Sequence, residues 1–217
     1  MKQRMAISLL VNLGWFLSSC APLFSDMHSA RLVGKKEFEI TPGYSSVGMT
    51  EPGQKTGLSN FLGFQAAYGI SDRVELRFRF EHSWLKRSVM EEEDDQVTVN
   101  VVGIGPKIRI VKDRLALFLP IGFAEGLVEF QPTLLATIPI VQNKLDFNPS
   151  VKHLMDICDV CWQPLVAFNV GFAISTDVTK WAIRPEYGVL YNLNNKGHFK
   201  NFSVGLSLNL SALSKSE

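Results

Sequence analysis

Polar and apolar side chains alternate without interruption from Arg73 to Trp84. Even-numbered positions such as Val74 and Phe78 make a mostly apolar face, and the odd-numbered positions make a polar, highly charged face. A period of two predicts a β-strand. At ~3.3 Å per residue and a tilt of about 40°, a strand of this length covers roughly 30 Å, the thickness of a bilayer core. This stretch therefore has the length and the pattern of a transmembrane strand.

The same alternation recurs along the chain, and each occurrence predicts a further strand. The segments that show it are 36–46, 58–70, 73–84, 96–111, 115–123, 132–140, 145–152, 166–174, 181–189 and 202–210. In the segment 96–111 the apolar positions change parity near Gly103, from Val101 to Ile104, which predicts a β-bulge. Because single-chain bacterial membrane barrels have an even number of strands, the pattern predicts an all-β fold: an antiparallel up-and-down transmembrane β-barrel of about ten strands over residues 35–210.

The connections between these segments alternate in length, as expected of hairpins that are threaded through a membrane from the periplasm. Long connections are expected at 47–57, 86–95, 125–130, 155–163 and 192–198, and short turns at 70–73, 111–114, 141–144 and 176–180. Each short turn contains Asp or Asn, which favour tight hairpins. Odd-numbered strands then run outward, so both ends of the mature chain are expected in the periplasm.

The first residues have the composition of an export signal. Lys2 and Arg4 accompany an apolar run from Met5 to Leu17, the pattern of a secretory signal peptide. Leu17-Ser18-Ser19-Cys20 resembles a bacterial lipobox, which implies a cut before Cys20 and a lipid on that cysteine. The alternative is an ordinary secretory signal that is cut nearby. We expect a lipoprotein signal peptide at 1–19, a periplasmic lead-in at 20–34 and a periplasmic tail at 211–217.

Charged residues of both signs occupy the face that is predicted to line the barrel. We expect a lumen charge network made of Arg73, Glu75, Arg77, Arg79, Glu81, Lys107, Arg109, Arg184 and Glu186. The signs nearly balance along the inward face, as they should where unpaired buried charge is costly. A barrel of this size is only slightly wider than the small barrels that side chains fill. The expected lumen is therefore crossed by salt bridges and leaves at most a narrow polar passage.

Charge and composition exclude two classes of protein. A net charge of +1 lacks the clustered basic excess of nucleic-acid-binding proteins. Beyond the signal, the chain has no apolar run long enough for a helical membrane span. Aromatic residues are expected in belts at the two membrane interfaces. The outer belt would contain Tyr44, Trp84, Trp162, Tyr191 and Phe199, and the inner belt Phe38, Tyr68, Phe147, Phe172 and Trp181.

Candidate cofactor chemistry is limited to one cysteine pair and one acidic run. Cys158 and Cys161 have the spacing of redox and zinc sites, but no second pair of ligands accompanies them. In an oxidising compartment we expect a disulfide between them in an outer loop. The acidic run at 91–95 lacks the spacing and the glycine of a calcium loop, and is typical of a solvated loop tip. No metal and no cofactor is expected.

Candidate catalytic residues do not form a convergent set. His82 is followed by Ser83, but neighbouring residues of a strand point to opposite faces and cannot act as base and nucleophile. His153 and His198 lie near predicted outer loops, without the matched acidic pairs of outer-membrane proteases. Because no base, nucleophile and orienting group can be named together, we expect no enzymatic activity.

Three segments carry a recognisable family pattern: Gly63-Phe64-Gln65-Ala66-Ala67-Tyr68-Gly69-Ile70-Ser71-Asp72-Arg73, Gly103-Ile104-Gly105-Pro106-Lys107-Ile108 and Phe202-Ser203-Val204-Gly205-Leu206-Ser207-Leu208. They resemble the small outer-membrane β-barrel proteins of Gram-negative bacteria, over about residues 35–210. The resemblance implies an outer-membrane location and contact with outer-membrane lipid and lipopolysaccharide. A monomer is expected because a closed barrel needs no partner to satisfy its strand edges. The chain departs from the family pattern past Leu210, because many such proteins end on an aromatic residue.

The predicted function is a non-enzymatic outer-membrane β-barrel protein, either a structural or surface-interaction protein or a narrow passive pore. Two alternatives stay open. The first is a lipid-anchored soluble barrel, similar to lipocalins, whose apolar faces would point inward onto a lipophilic ligand. The second is an outer-membrane enzyme that modifies lipids or cleaves proteins.

Overall fold

The computed structural model describes residues 25–51, 54–85, 97–124, 127–156, 165–193 and 198–214. In chain order the strands are β1 (Phe38–Glu51), β2 (Gln54–Gly69), β3 (Val74–Leu85), β4 (Val97–Val111), β5 (Leu115–Phe118), β6 (Ile121–Ala124), β7 (Leu127–Phe130), β8 (Thr133–Ala136), β9 (Ile138–Val141), β10 (Leu145–Asp156), β11 (Leu165–Ile174), β12 (Trp181–Asn192) and β13 (His198–Asn209). A short helix, α1 (Leu210–Ser214), follows β13 directly.

The strands form one antiparallel sheet that closes on itself. Neighbours in the chain pair with one another, and β1 pairs with β13 to complete the ring. β5 and β6 are two halves of one strand along β4, while β7, β8 and β9 are three pieces of the next strand along β10. With each group counted once, the fold is a closed antiparallel barrel of ten strands, which confirms the predicted fold class.

Several strands extend further than the alternation indicated. Most of the long connection expected at 47–57 is strand, because β1 continues to Glu51 and β2 begins at Gln54. Similarly, β7 begins at Leu127, inside the connection expected at 125–130. A strand that projects beyond an apolar belt no longer needs an apolar outer face. The alternation therefore fades before the strand ends.

The β-bulge predicted near Gly103 is wrong. β4 pairs with β3 in a single register from Val97 to Ile108, and Val99 is buried on the inward face with 7% exposure. Val99 and Val101 therefore face the lumen and not the membrane. The register of β4 shifts instead between Arg109 and Val111, against β5. Alternation alone could not distinguish an inward apolar position from an outward one.

The outer surface of the barrel is apolar over most of its height. Large exposed hydrophobic side chains occur on strands all around the ring, among them Phe64, Ile104, Phe123, Leu134, Phe168, Phe172, Ile183 and Phe202. Contiguous exposed apolar surface of this extent is far larger than the patches of soluble monomers, and it is the surface of a transmembrane barrel. The lipocalin-like alternative is wrong on this point, because its apolar faces would have to line the lumen.

Tight turns and α1 lie together at one end of the barrel, which we call the turn end; the opposite end is the loop end. Asp113 and Asn143 have positive φ angles of 55° and 57° in these turns, a conformation that Asp and Asn tolerate. In the turn before β12, the Thr179 hydroxyl donates to Asp177 Oδ1 at 2.6 Å, and this hydrogen bond lowers the pKa of Asp177. Among the described residues, no helix has the length and hydropathy to cross a bilayer.

Candidate functional site: the plugged lumen

Residues 25–34 lie inside the barrel, and we call this segment the plug. It has no regular helix or strand, and the run from Ser25 to Ala30 is buried, with no residue more than 4% exposed. Ser25 Oγ lies 3.4 Å from Ser45 Oγ, half-way along β1. The described part of the expected lead-in at 20–34 is therefore not outside the barrel. It shows no periodicity because the wall surrounds it on all sides.

The plug leaves the lumen at the turn end through a sharp bend. Gly34 and Lys36 have positive φ angles of 96° and 62°. The Lys36 amide donates to the Gly69 carbonyl at 2.7 Å. A Cβ at Gly69 would lie 1.7 Å from the Gly34 carbonyl oxygen, so the wall needs glycine at this point. The backbone of the plug thus runs directly against the backbone of β2.

The Asp26 carboxylate is enclosed by polar groups of β10 and β11. Its Oδ1 lies 2.7 Å from Lys152 Nζ. The Ser150 hydroxyl and the Asn169 amide donate to its Oδ2 at 2.7 and 3.0 Å. One cation and two neutral donors therefore replace the water that this buried carboxylate gives up, as a buried charge requires.

The backbone of the plug is held at the same level by wall side chains. The amides of Asp26 and Met27 donate to the two carboxylate oxygens of Glu186 at 2.7 and 2.8 Å. Gln65 Nε2 donates to the Asp26 carbonyl at 2.8 Å. An irregular segment inside a barrel has no ladder of its own, and these contacts satisfy its polar groups.

Arg31 makes the second charged anchor of the plug. Its Nε and Nη2 donate to the two carboxylate oxygens of Asp146 at 2.8 and 3.1 Å, in the bidentate arrangement that is the strong form of this pair. Its Nη1 lies 3.9 Å from Asp113 Oδ2 at the turn end. Lys107 Nζ donates to the Arg31 carbonyl at 2.6 Å.

A compact charge cluster of the wall lies beside Arg31. Glu75 is its centre, because Lys107 Nζ donates to its Oε1 at 2.9 Å and Arg77 Nε donates to the same oxygen. The Val33 amide of the plug donates to Glu75 Oε2 at 2.8 Å. Arg77 Nη2 also donates to Glu39 Oε1 at 3.0 Å. Both oxygens of the Glu75 carboxylate are thus used.

A second group of wall charges meets the plug at Ser25. Arg79 Nε donates to Glu81 Oε1 at 2.6 Å, within β3. The two terminal nitrogens of Arg79 donate to the Ser25 carbonyl and hydroxyl at 2.8 and 3.1 Å. Arg184 Nε donates to the Ser207 hydroxyl at 2.8 Å on the other side of the lumen.

The structure encloses most of the residues that were expected in the lumen charge network, with two departures. Glu75, Arg77, Glu81, Lys107, Arg184 and Glu186 are buried inside the barrel, and Arg79 contacts the plug. Arg73 is exposed and Arg109 is half-buried. Both lie next to the turn end, where the wall projects beyond the plug and is open to solvent.

Sequence reasoning missed the two charges of the plug itself. Asp26 and Arg31 precede the first strand and follow no periodic pattern, so the sequence predicts a lead-in outside the barrel at these positions. The available signal was a single carboxylate and a single guanidinium in a short, otherwise uncharged segment next to a wall rich in charge. That signal does not indicate that Asp26 and Arg31 lie inside the barrel.

An apolar layer, which we call the cap, fills the lumen between the plug and the loop end. Its buried members are Val47, Phe61, Leu154, Ala167 and Leu190, with Val101, Leu165 and Phe199 packed against them. Phe199 was expected in the outer aromatic belt, and it packs inward instead. Within the described residues, side chains and backbone thus occupy the lumen at two levels, the polar plug and the apolar cap.

The part of the lumen that the structure describes leaves little space for a ligand. A pocket between Met27, His28, Asn148 and Arg184 has no room for a water molecule. Typical ligand pockets have volumes of roughly 300–1,000 Å³. Within the described ranges, no three His, Cys, Asp or Glu side chains are grouped so that they could hold a metal ion.

The residues considered for hydrolysis do not converge. His82 faces outward, where its Nδ1 lies 2.8 Å from Asn100 Oδ1 and its ring lies 4.9 Å from that of Trp84. Ser83 is buried on the opposite face. His198 is stacked on Tyr191 at 5.8 Å near the loop end. None of these contacts pairs a base with a nucleophile.

Several sequence expectations lie outside the described residues. They are the signal peptide at 1–19, the lipidation site Cys20, the cysteine pair Cys158 and Cys161, the acidic run at 91–95 and Trp162. These expectations stay predictions.

Comparisons with known proteins give distant likenesses only. No family model matches the chain, and no curated protein matches it. Among solved structures, it is similar to Ail, the attachment invasion locus protein of Yersinia pestis, with a TM-score of 0.40 and 15% identity over 80% of this chain and 98% of that one. It is also similar to the translocator domain of the autotransporter NalP from Neisseria meningitidis. The TM-score is 0.43 and the sequence identity 10%, over 96% of this chain and 98% of that one. The N-terminal β-barrel domain of Pseudomonas aeruginosa OprF gives a TM-score of 0.30 and 12% sequence identity, over 81% of this chain and 99% of that one. At this level of similarity, nothing about binding or activity carries over to this chain.

Proposed function

We propose that this chain is a non-enzymatic protein of the bacterial outer membrane, and that its barrel is a structural or surface-interaction element, not an open pore. The observation that carries the proposal is the arrangement of the wall. Its inner face is filled by the plug and the cap, while its outer face is apolar. A barrel with a sealed lumen can act only through its loops and its outer surface.

The narrow passive pore is disfavoured by the cap. A solute that crossed the lumen would have to displace the plug and then pass between buried apolar side chains such as Phe61 and Leu190. Apolar constrictions exclude water and hydrated ions. An enzyme is disfavoured for a related reason, since it would need a pocket for its substrate, and the pocket among the described lumen residues has no room for a water molecule.

The proposed orientation places the turn end in the periplasm. Outer-membrane barrels have short periplasmic turns and longer extracellular loops. The helix α1 would then lie in the periplasm, and the apolar belt would contact outer-membrane lipid and lipopolysaccharide. A monomer is sufficient, because a closed ring leaves no strand edge unpaired.

Two covalent features complete the proposal, a lipid on Cys20 and a disulfide between Cys158 and Cys161. Mass spectrometry of the chain purified from outer membranes tests both. An acylated peptide that begins at Cys20, and a linked peptide that loses its cross-link on reduction, are the expected results. An unmodified amino terminus or two free thiols would contradict the corresponding proposal.

The sealed lumen is tested by conductance in planar lipid bilayers. We expect the purified protein to give no large, stable conductance steps, because the plug and the cap occupy the described part of the lumen. An open porin in the same lipid serves as the positive control, and insertion of the chain is verified by its resistance to extraction. Large, stable steps from single barrels would contradict the proposal.

A further inference from the structure

We propose that the plug is the template on which the barrel closes. In this account the wall can bury its inward charges only when residues 25–34 are in place. The inference concerns assembly and does not depend on the role proposed for the barrel above. It rests on how the plug contacts the ring, on the match of charge and on the match of shape.

The plug contacts strands around the whole ring. Its hydrogen bonds and ion pairs reach β1 at Ser45, β2 at Gln65, β3 at Glu75, β4 at Lys107, β10 at Asp146, β11 at Asn169, β12 at Glu186 and β13 at Asn209. Ala30 packs against Ala116 of β5 and Leu135 of β8. A segment that contacts both sides of the β1–β13 seam can hold these strands together as the ring closes.

The two charges of the plug match two charges of β10 in one direction only. Asp26 meets Lys152, and Arg31 meets Asp146. The plug therefore runs antiparallel to β10, with its carboxylate toward the loop end and its guanidinium toward the turn end. A reversed plug would bring Asp26 against Asp146 and Arg31 against Lys152. Like charges in a buried site repel strongly, so the pair fixes direction and register.

Several buried charges of the wall have their ion-pair or hydrogen-bond partners in the plug. Lys152 and Asp146 are at most 1% exposed, and the ion pairs described above join them to the plug. Glu186 receives two backbone donors from the plug. Removing one partner of a buried pair leaves an uncompensated charge and is strongly destabilising. A ring that closed without the plug would leave Lys152, Asp146 and Glu186 without these protein partners.

The wall is also shaped for the plug. Gly43 of β1 and Gly205 of β13 are paired neighbours, and both face the lumen beside Met27. A Cβ at Gly43 would lie 2.9 Å from the Met27 methyl carbon, and one at Gly205 would lie 3.2 Å from its sulfur. The glycines form a depression that the Met27 side chain fills, at the seam where the barrel closes.

The test uses the full chain with Cys158 and Cys161 replaced by serine, and with Ser25→Cys and Ser45→Cys as reporters. The two hydroxyls lie 3.4 Å apart, so a disulfide between the new cysteines, identified by mass spectrometry, reports a seated plug. Gel mobility of the unheated protein reports barrel closure independently. Both are measured for Arg31→Asp, for Asp146→Arg and for the double variant. Ser29→Ala, a buried but uncharged change in the same segment, is the matched control.

We expect each single reversal to lower the closed fraction and the disulfide yield together, by about tenfold or more, and the double variant to restore both to within about threefold of the parent. Ser29→Ala should behave like the parent. Closed barrels without the disulfide in a single variant would overturn the proposal, because closure would then not need the plug. A double variant that regains neither readout, or single reversals that keep both, would overturn it as well, because the charges would not act as a matched pair.

Discussion

At the scale of single residues, the plug fits inside the barrel because some wall positions that it contacts are glycines. Gly69 is the clearest case, because the Gly34 carbonyl of the plug occupies the position that a Cβ would need. Gly103 is also inward-facing and buried, but a Cβ there would meet its nearest atom, Arg79 Cβ, at an ordinary 3.7 Å. The difference is that the plug backbone lies directly against Gly69, whereas a Cβ at Gly103 would meet only atoms of the wall.

We therefore expect Gly69→Ala to lower the free energy of unfolding by about 2 kcal/mol or more, since the backbone must move to relieve the overlap. Gly103→Ala should change it by less than about 0.5 kcal/mol. Urea unfolding in detergent, followed by tryptophan fluorescence, measures both values. Equal effects of the two substitutions would contradict the close backbone contact at Gly69.

At the scale of the strands, prolines explain why two of them are broken. Pro120 lies between β5 and β6, and Pro132 lies between β7 and β8. The Gln131 amide donates to the Pro120 carbonyl at 3.0 Å, but Pro120 has no amide hydrogen with which to return the bond. The Thr133 hydroxyl donates to the Gln131 carbonyl at 2.9 Å and takes the place of the missing donor.

Because the Thr133 hydroxyl donates where a backbone amide is missing, we expect Thr133→Val to lower the free energy of unfolding by about 1–3 kcal/mol. The valine would leave the buried Gln131 carbonyl without this donor. Thr133→Ser keeps the hydroxyl and should cost about 1 kcal/mol, the value of one buried methyl group. The same urea experiment compares the two variants. If Val were tolerated as well as Ser, the hydroxyl would not support the broken strand.

The strands were predictable because a membrane barrel imposes its pattern on every spanning residue. Phe64 faces out and Gln65 faces in, and each type follows from its environment. The pattern failed at Val99, because the cap makes the interior apolar at that level and removes the contrast between the faces. It also failed for Asp26 and Arg31, because a segment enclosed on all sides has no face that differs from another.

At the scale of the whole molecule, the plug constrains the expected lipid anchor. Cys20 precedes Ser25 by five positions, and such a segment spans at most ~18 Å. Ser25 lies level with Ser45, which is seven residues into β1 from Phe38, or about 18 Å from the turn end at the usual tilt. The lumen over that distance is filled by the rest of the plug. To carry a lipid on Cys20 to the periplasmic leaflet while the plug stays inside the barrel, this segment would have to be almost fully extended.

The central claim is a barrel whose outer face meets lipid and whose lumen is filled by its own amino-terminal segment. Thiol labelling tests it, with Phe78→Cys on the outer face, Ser29→Cys in the plug and Asp72→Cys in an exposed turn, each in a chain lacking Cys158 and Cys161. Labelled peptides are identified by mass spectrometry after treatment with a lipid-soluble or a water-soluble reagent. We expect the outer-face thiol to react only from the lipid phase, the turn thiol only from water, and the plug thiol with neither reagent until the barrel is unfolded. Rapid aqueous labelling of the plug thiol in the folded barrel, or aqueous labelling alone of the outer-face thiol, would contradict the claim.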